Sequence, residues 1–325
     1  MKPPYRVLSM AEIAAIPPNG LTHASTFSGC GGTCLGFRMA GFKTAWANDS
    51  DASAQQSYRA NFPTTYLDTR NICDIQPHDI LAATGLKVGE LDVFEGSPPC
   101  TAFSTAGRGA TEWGRERKHR REHSGATDTK VEVEELSFEF VRLLGGLMPR
   151  AFVVENVPAM AQGHNKAYLH ETRRQMEALS YRLETAILNA YAFGVPQNRR
   201  RLFIVGVHPS APTYSLFPSP DQAVRYGLSD AVPGATHVEG YEFYETRLQS
   251  AERPMPTVMT GAKLKIGVDG VVRYPTVDEL KRICSFPDDF ALLGTVTEQR
   301  RRLGNAVPPF LAKAIATSLR KVLAS

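Results

Sequence analysis

The stretch THASTFSGCGG, residues 22–32, decides the fold of this 325-residue chain. Residues 22–27 form a short run typical of a buried β-strand, and the glycines after them allow a tight turn into a helix. At such a turn the backbone N–H groups can approach a ligand closely, although plain turn chemistry is the alternative. The spacing in residues 27–32, the glycine loop, differs from the Gly-x-Gly-x-x-Gly of dinucleotide-binding enzymes.

Strands and helices alternate on either side of this loop. Further strand-like runs lie at residues 44–47, 91–95, 151–155 and 202–207, and helical spacing marks residues 53–61 and 136–147. This alternation predicts a doubly wound, Rossmann-like α/β sheet up to residue 208, with ligands at the carboxyl ends of its strands. Asn48-Asp49 ends the second run, where an acidic acceptor for a ribose belongs. Capping of the next helix is the alternative role for Asp49.

The composition changes near residue 209. Residues 209–272 are rich in Pro, Gly, Ser, Thr and Tyr, and they predict a separate, smaller region of irregular β-structure and loops. Helical spacing returns at residues 277–284 and again after Pro308-Pro309, where prolines suit the first turn of a helix. We therefore expect three segments, residues 1–208, 209–272 and 273–325.

Composition and charge exclude several classes of protein. The chain is 42% hydrophobic and 22% charged, which is typical of a globular domain and not of a disordered or fibrous one. Five cysteines are too few for a disulfide framework, and they lack the spacing of a metal site. No run is long enough to span a membrane, and no signal peptide is evident, so we expect a cytoplasmic protein without a metal.

Basic residues are clustered although the net charge is only +4. They form runs at residues 115–121, 199–201 and 300–302. Each run by itself could be solvent-exposed charge in a loop, but three runs together favour phosphate binding.

Two candidate chemical groups follow neighbouring strands. Cys100 ends the sequence Gly-Ser-Pro-Pro-Cys at residues 96–100, where a cysteine could act as a nucleophile or be a buried structural residue. Glu155 ends the next strand along the chain and should face the same cleft. A thiol and a carboxyl group placed together could form a covalent adduct and protonate it.

Five segments, in this order, resemble the DNA cytosine-5 methyltransferases of bacterial restriction-modification or orphan type. They are Phe-x-Gly-x-Gly at residues 27–31, Pro-Pro-Cys at 98–100, Glu-Asn-Val at 155–157, Gln-x-Arg-x-Arg at 197–201 and Gly-Asn-Ala-Val-Pro-Pro at 304–309. The resemblance extends from residue 26 to about residue 316, which is nearly the whole chain.

The resemblance implies a Rossmann-like fold with a mixed sheet, and it implies S-adenosylmethionine as cofactor. It also assigns residues to the cofactor pocket. These residues are Phe27, Gly29, Cys30, Gly31, Asp49, Asn71, Ile72, Pro99, Leu136 and Asn305. Asp49 would accept hydrogen bonds from the ribose, and Asn71-Ile72 would lie at the adenine. Residues 1–208 would be the catalytic and cofactor-binding domain, 209–272 the target recognition region, and 273–325 a segment that returns to the catalytic domain.

The resemblance also implies the reaction and its partners. Cys100 would add to C6 of a cytosine flipped out of duplex DNA, Glu155 would contact the base, and Arg199 and Arg201 would lie near the reacting atoms. The 104–130 segment, rich in Gly, Arg and Lys, would be a mobile loop that closes over DNA, with a disordered solvated loop as the alternative. We expect a monomer that acts at a specific sequence, with a cognate restriction endonuclease as a partner.

Three positions depart from the family pattern. Thr101 replaces the usual glutamine after the cysteine, Asn71 replaces a common aspartate, and Ser50 replaces a large side chain that often covers the adenine.

Three other functions are alternatives to this one. A tRNA cytosine-5 methyltransferase of the same family shares most of the motifs. A catalytically inactive binding module is disfavoured by the presence of all four catalytic candidates. A nicotinamide dehydrogenase is opposed by the glycine spacing and by a cysteine that has no role in hydride transfer.

Overall fold

A seven-stranded sheet forms the centre of the larger part of the chain in the computed structural model. The structure describes residues 2–99, 136–163, 165–209, 215–220, 224–242, 245–261 and 264–324. The strands of the sheet are β1 (Thr22–Thr26), β2 (Lys43–Asn48), β3 (Tyr66–Asp68), β4 (Val93–Gly96), β5 (Ala151–Asn156), β6 (Arg182–Asn189) and β8 (Arg200–Val207); β7 (Gln197–Asn198) lies outside it. Their order is β3-β2-β1-β4-β5-β8-β6. Only β8 pairs antiparallel with its neighbours, so the sheet is mixed, as predicted.

Helices cover both faces of this sheet. The helices in the described ranges are α1 (Met10–Ala14), α2 (Gly32–Met39), α3 (Ala52–Asn61), α4 (Pro77–Thr84), α5 (Leu136–Leu147), α6 (Asn165–Ala178), α7 (Leu228–Ala231), α8 (Val277–Ile283), α9 (Val296–Asn305) and α10 (Pro309–Leu323). Helices α2 and α10 pack on one face and α4, α5 and α6 on the other, whereas α1, α7, α8 and α9 pack with residues of the small region (209–272) in a separate core. Short 3-10 helices lie at Ile72–Asp74, Pro158–Ala161 and Ala190–Phe193.

Side chains alternate between two cores along the central strands. In β4, Val93 packs with α2 and α10 on one face, and Phe94 packs with α5 on the other. In β5, Val153 and Val154 alternate in the same way. Because the period of a strand is two, Glu95 and Glu155 fall on the face shared with Val93 and Val153. Two acidic side chains therefore follow buried apolar ones toward the carboxyl ends of adjacent strands.

Helices α2 and α10 touch each other closely on that face. A Cβ at Gly36 of α2 would lie 2.4 Å from Cβ of Ala312 and 2.5 Å from the carbonyl oxygen of Pro309, both on α10. Only glycine fits this contact, because the obstructing atoms include backbone. Pro309 occupies the first turn of α10, as the sequence predicts.

A four-stranded antiparallel sheet occupies most of the small region. Its strands are β9 (Ala235–Glu242), β10 (Glu245–Ser250), β12 (Lys265–Val268) and β13 (Val271–Arg273), in the order β10-β9-β12-β13. The two-residue β11 (Met255–Pro256) instead pairs with β7 of the larger part. The small region thus contains a β-sheet, with a register shift between Gly267 and Val268 where β12 pairs with β9. Asp269 and Gly270, with φ of 49° and 80°, form the tight turn between β12 and β13.

The sequence pattern misses several elements. It gives no signal for β3, β6, α4, α6 or α9, and it starts the strand of residues 91–95 two residues before β4. Strand β6 is an edge strand whose residues are mostly half-buried, so it lacks a continuous apolar run.

Candidate active site

The glycine loop turns sharply from β1 into α2. Phe27, Gly29 and Gly31 have positive φ of 53°, 56° and 95°. A Cβ at Gly31 would lie 2.3 Å from the ring of Phe62, whereas no neighbouring atom of the described residues lies within 4 Å of the position a Cβ would take at Gly29. The backbone at Gly29 is therefore open to a ligand. At Gly31 the ring of Phe62 fills the space beside the backbone.

Asp49 lies beside the open part of the glycine loop. Its carboxylate accepts the N–H of Gly29 at 2.7 Å and the N–H of Asp51 at 2.8 Å. Burial raises the pKa of Asp49 from its ordinary value, while these backbone N–H groups oppose that shift. Each oxygen keeps a second lone pair that could accept a ribose hydroxyl. The alternative role for Asp49 as a helix cap is wrong, because Asp51 caps α3 by accepting the N–H of Ser53.

A group of apolar side chains, the apolar wall, lies on the face of the sheet that α5 covers. Phe27, Ile72 and Leu136 belong to one hydrophobic cluster, although they come from three distant parts of the chain. The side chain of Asn71 accepts the N–H of Cys73 at 3.1 Å and so caps the 3-10 helix that carries Ile72. Ser50 is exposed, which leaves this side of the wall uncovered.

The remaining predicted cofactor residues lie in three different environments. The side chain of Cys30 is buried in the core, and burial raises the pKa of its thiol to about 12, so only its backbone can face a ligand. Pro99 is exposed after β4, and Asn305 is exposed at the end of α9. A Cβ at Gly32 would lie 2.5 Å from the carbonyl oxygen of Val307, which places the 304–309 motif against the glycine loop.

Residues 96–99, the proline segment, lead out of β4 toward Cys100. A Cβ at Gly96 would lie 2.5 Å from Oγ1 of Thr26, so the segment begins against the end of β1. Nδ2 of Asn156 lies 3.4 Å from the carbonyl oxygen of Pro98, which ties the segment to the end of β5. Cys100 and Thr101, and the whole 104–130 segment, lie outside the described residues.

Glu155 forms an ion pair at the end of β5. Nε of Arg201 lies 2.9 Å from Oε1 of Glu155, and the residue is only 7% exposed. Burial raises the pKa of Glu155 above its ordinary value, and the charges of Arg201 and Arg199 oppose that shift. Burial therefore favours the protonated form of this carboxyl more than water would, and a protonated carboxyl is what general acid chemistry requires.

Arg199 has a different role from Arg201. It is 1% exposed, and its guanidinium donates to the carbonyl oxygens of Val258 at 3.1 Å and Gly304 at 2.7 Å. It thus joins three parts of the chain: the segment before β8, the chain after β11 and the end of α9. Its charge also opposes the rise in the pKa of Glu155, while the two hydrogen bonds given above go to backbone carbonyls.

The prediction that the basic runs bind phosphate is wrong for two of their arginines. Arg199 is buried as described, and Arg302 is 4% exposed and donates to Ser53 and Ser57 of α3 and to the carbonyl oxygen of Leu293. Arg301 forms an ion pair with Asp51 at 2.6 Å. These groups hold α9 against α3, and the 115–121 run lies outside the described residues.

Sequence reasoning missed Glu95, which lies one residue before the proline segment. It is 1% exposed, and its carboxyl accepts from Oγ of Ser25 at 2.7 Å and Oγ of Ser97 at 3.1 Å. An acidic residue within an otherwise apolar strand was the available signal.

A groove of about 570 Å³ borders β10 in the small region. It is lined by Arg247, Leu248, Gln249, Ser250, Arg253 and Pro256. Among the described residues, no group of three or more His, Cys, Asp or Glu side chains could hold a metal ion. No helix in the described ranges has the length and apolar character needed to cross a membrane.

The model of the C-5 cytosine-specific DNA methylase family matches residues 21–230 and 234–321. The chain belongs to this family. It is therefore a DNA cytosine-5 methyltransferase that uses S-adenosylmethionine. The open glycine backbone, the carboxylate of Asp49 and the apolar wall fit a cofactor with a nucleoside part. Membership excludes the dehydrogenase and the inactive binding module.

Related proteins cover nearly the same length. The methyltransferase is 30% identical to type II methyltransferase M1.HphI of Haemophilus parahaemolyticus, over 93% of this chain and 87% of the relative. It is 32% identical to type II methyltransferase M.AplI of Arthrospira platensis, over 91% of this chain and 85% of the relative.

Solved structures share the fold of this methyltransferase. A structure described as a prophage-encoded DNA modification methyltransferase (E. coli) has a TM-score of 0.74 and 20% identity, over 94% of this chain and all of the other. Spodoptera frugiperda DNMT2 has a TM-score of 0.66 and 17% identity, over 94% of this chain and 100% of the other.

Proposed function

We propose that this methyltransferase modifies C5 of a cytosine flipped out of duplex DNA at a specific sequence, through a covalent bond between Sγ of Cys100 and C6. The observation that carries the proposal is the position of Glu155. It is a buried carboxyl paired with Arg201 at the end of β5, and its neighbour Asn156 contacts the proline segment that leads into Cys100. A base held by Glu155 would lie next to that segment.

The reaction balances with the groups that this chain supplies. The thiolate of Cys100 adds to C6 while N3 takes a proton from Glu155, and the electron density moves to C5. When bound, S-adenosylmethionine supplies an electrophilic methyl group on its sulfonium. After methylation, loss of the C5 proton to solvent and departure of the thiolate restore the aromatic ring, and N3 returns its proton to Glu155.

The cofactor would be held at the carboxyl ends of β1 and β2. Asp49 would accept from the ribose, and Phe27, Ile72 and Leu136 would enclose the base. The open backbone at Gly29 leaves room for close approach of the ligand. Exposed Ser50 supports a pocket that is less enclosed on the adenine side than in most of the family.

Arg201 supports catalysis through Glu155. Its guanidinium holds the carboxyl in place and limits the rise in pKa that burial causes. Arg199 would act by fixing the chain around the site, since its hydrogen bonds go to Val258 and Gly304. A free thiol has a pKa of about 8.5, so a positive charge near Cys100 would favour the reactive thiolate.

Target recognition would use the small region within residues 209–272. The groove beside β10 carries Arg247 and Arg253 together with the amide of Gln249, and such side chains recognise base edges and phosphates. Residues 1–208 would form the catalytic domain, and 273–325 would complete it. The base must leave the stack at a cost of a few kcal/mol.

Duplex DNA, not tRNA, is the substrate that the relatives support. Both relatives described above are named type II methyltransferases. The likeness also supports a role in protecting sites that a cognate restriction endonuclease cuts, and we propose in addition that the enzyme acts as a monomer in the cytoplasm.

Bisulfite sequencing of plasmid DNA from cells that express the protein tests the function. We expect protected cytosines at one short sequence, and none in cells that express Cys100→Ala. Methylation scattered without sequence preference, or none in DNA while labelled tRNA accumulates, would overturn the proposal.

DNA with 5-fluorocytosine at the target tests the covalent step. Addition and methylation can proceed, but fluorine cannot leave as a proton does, so an adduct should persist in denaturing gels. It should require S-adenosylmethionine and map to Cys100, and Glu155→Gln should form it more slowly because an amide cannot protonate N3. An adduct on Cys30, Cys34, Cys73 or Cys284 would contradict the mechanism.

A further inference from the structure

A buried polar cluster lies behind the active site, between the glycine loop and the proline segment. Its centre is Glu95, and it includes Ser25, Ser28 and Ser97. Glu95 and Ser25 are paired residues on the adjacent strands β4 and β1, where both strands end. The cluster thus lies where the cofactor side and the nucleophile side of the site meet.

The two oxygens of Glu95 bond to opposite sides of the site. Oε2 accepts from Oγ of Ser25 at 2.7 Å, and Oε1 accepts from Oγ of Ser97 at 3.1 Å. Ser25 in turn lies 2.9 Å from Oγ of Ser28, which belongs to the glycine loop. One carboxyl therefore connects the glycine loop to the proline segment through serine hydroxyl groups, although Oγ of Ser28 also donates to the carbonyl oxygen of Ser25 at 3.1 Å.

The groups around Glu95 do not offset the free-energy cost of burying its negative charge. Among the described residues, the basic side chain of His23 approaches Glu95, with Nε2 4.0 Å from Oε2, and that nitrogen has no hydrogen-bond partner there. Burial lowers the pKa of His23 to about 3, so the imidazole is neutral. Burial raises the pKa of Glu95 to about 8, and the charge of Glu155 adds to that rise.

Asp92, at the other end of β4, provides the contrast. It is 7% exposed, and it pairs with Arg150 at 2.6 Å and accepts from the backbone and side chain of Thr22. The cation of Arg150 compensates the burial of Asp92, and the hydrogen bonds from Thr22 join this segment to β1. A carboxyl buried without a cation costs stability where an apolar side chain would not, so packing alone does not account for Glu95.

We propose that Glu95 is a positioning residue that fixes the glycine loop and the proline segment relative to each other. The bond to Ser25 sets the position of the loop, and the bond to Ser97 sets the start of the chain that leads to Cys100. The distance between the methyl donor and the attacked base then depends on this carboxyl. The inference rests on the proposed function only in the role given to Cys100.

The test compares single-turnover methylation, kcat and KM in Glu95→Ala, Glu95→Gln and Asp92→Asn. A misplacement of about 1 Å between reacting groups can cost about 100-fold in rate. We expect Glu95→Ala to lower kcat per folded molecule by about 10- to 100-fold, with KM for DNA and for cofactor changed less than about threefold. Glu95→Gln, which keeps both hydrogen-bonding positions, should restore kcat to within about fivefold of wild type.

Asp92→Asn is the matched control, because it alters another buried carboxyl, one residue before the same strand. It should lower the melting temperature yet leave kcat per folded molecule unchanged. If Glu95→Ala does not fold, Ser97→Ala removes one hydroxyl and should lower kcat by about tenfold with both KM values retained.

Two results would overturn the inference: wild-type kcat in folded Glu95→Ala or Ser97→Ala, or an Asp92→Asn variant that loses kcat equally. Failure of the proposed mechanism has a separate signature, since wild type would then give no adduct with 5-fluorocytosine DNA. The positioning role of Glu95 is therefore tested by the ratio of methylation rates between variant and wild type, and not by formation of the adduct.

Discussion

The large sheet and the small sheet differ in where they place their side chains. The large sheet is covered by helices on both faces, and its polar groups Glu95 and Glu155 are buried where strands end. The small sheet exposes apolar and basic side chains, such as Leu248 at 63% and Val271 at 59%. Chemistry at C5 needs fixed groups shielded from water, whereas recognition of a base sequence needs accessible side chains that can change without loss of the core.

This contrast predicts that changes in the two sheets separate rate from target choice. Changes at the ends of the large sheet should lower the rate at every target. Changes in the small sheet should alter affinity and sequence preference while the chemical step is kept.

The largest effect should come from Cys100→Ala. We expect methyl transfer to fall by more than about 10³-fold, since covalent catalysis supplies at least that factor. Cofactor affinity, measured by calorimetry, should stay within a few-fold because the thiol is outside the nucleoside pocket. Turnover above about one part in a thousand would contradict the role of Cys100 as nucleophile.

Exchange of residues 209–272 for the matching region of a relative with another target should redirect methylation. Preference for the original site should fall by about 10³-fold, which is the lower range of specificity ratios for DNA-binding proteins. Cofactor affinity should not change, and bisulfite sequencing of the chimera's products provides the readout. A folded chimera that still marks the original site would place recognition elsewhere, with the 104–130 segment as the next candidate.

A smaller effect is expected from Arg253→Ala in the groove beside β10. DNA affinity should fall about tenfold, and the dependence of log affinity on log salt should lose about one unit of slope if Arg253 contacts a phosphate. Lys43→Ala is the control, because Lys43 lies at the amino end of β2, opposite the active-site edge of the sheet. Equal losses in the two variants, measured by fluorescence anisotropy, would argue against a role for the groove.

The smallest effect concerns stability and pH. The folded protein holds the proton of Glu95 up to about pH 8, whereas an unfolded glutamate releases it near about pH 4.3, so this contribution is present at low pH and lost as the pH rises through about 8. Between about pH 5 and 8 the free energy of unfolding of wild type should therefore fall relative to Glu95→Gln, by at most about 1.4 kcal/mol per pH unit.

Urea denaturation at several pH values measures this difference. His23 and Glu155 face the same cluster but are present in both proteins, so their own pH dependence largely cancels. If the free energy of unfolding varies with pH in the same way for both proteins, the pKa of Glu95 does not differ between the folded and unfolded states.

The sequence predicts the large sheet well because its strands and motifs coincide. Each central strand is a short apolar run that ends in a polar motif, so period and chemistry point to the same position. The resemblance brought together Phe27, Ile72 and Leu136, which the structure packs in one cluster. Their roles in binding remain a prediction.

Other features depend on contacts that a single sequence does not display. The basic runs suggested phosphate binding, but Arg199 and Arg302 satisfy backbone carbonyls from distant segments. The role of Glu95 depends on Ser25, which lies 70 residues earlier in the chain. Such pairings are set by strand order, which local patterns do not specify.

The contact between α2 and α10 has a consequence for synthesis on the ribosome. The helix that follows the glycine loop packs against Pro309 and Ala312, which are translated long after it. The cofactor side of the site is therefore completed only when nearly the whole chain has emerged, and an interrupted translation product cannot assemble it. Only chains that also carry the small sheet, and with it the means to choose a target, can begin to methylate DNA.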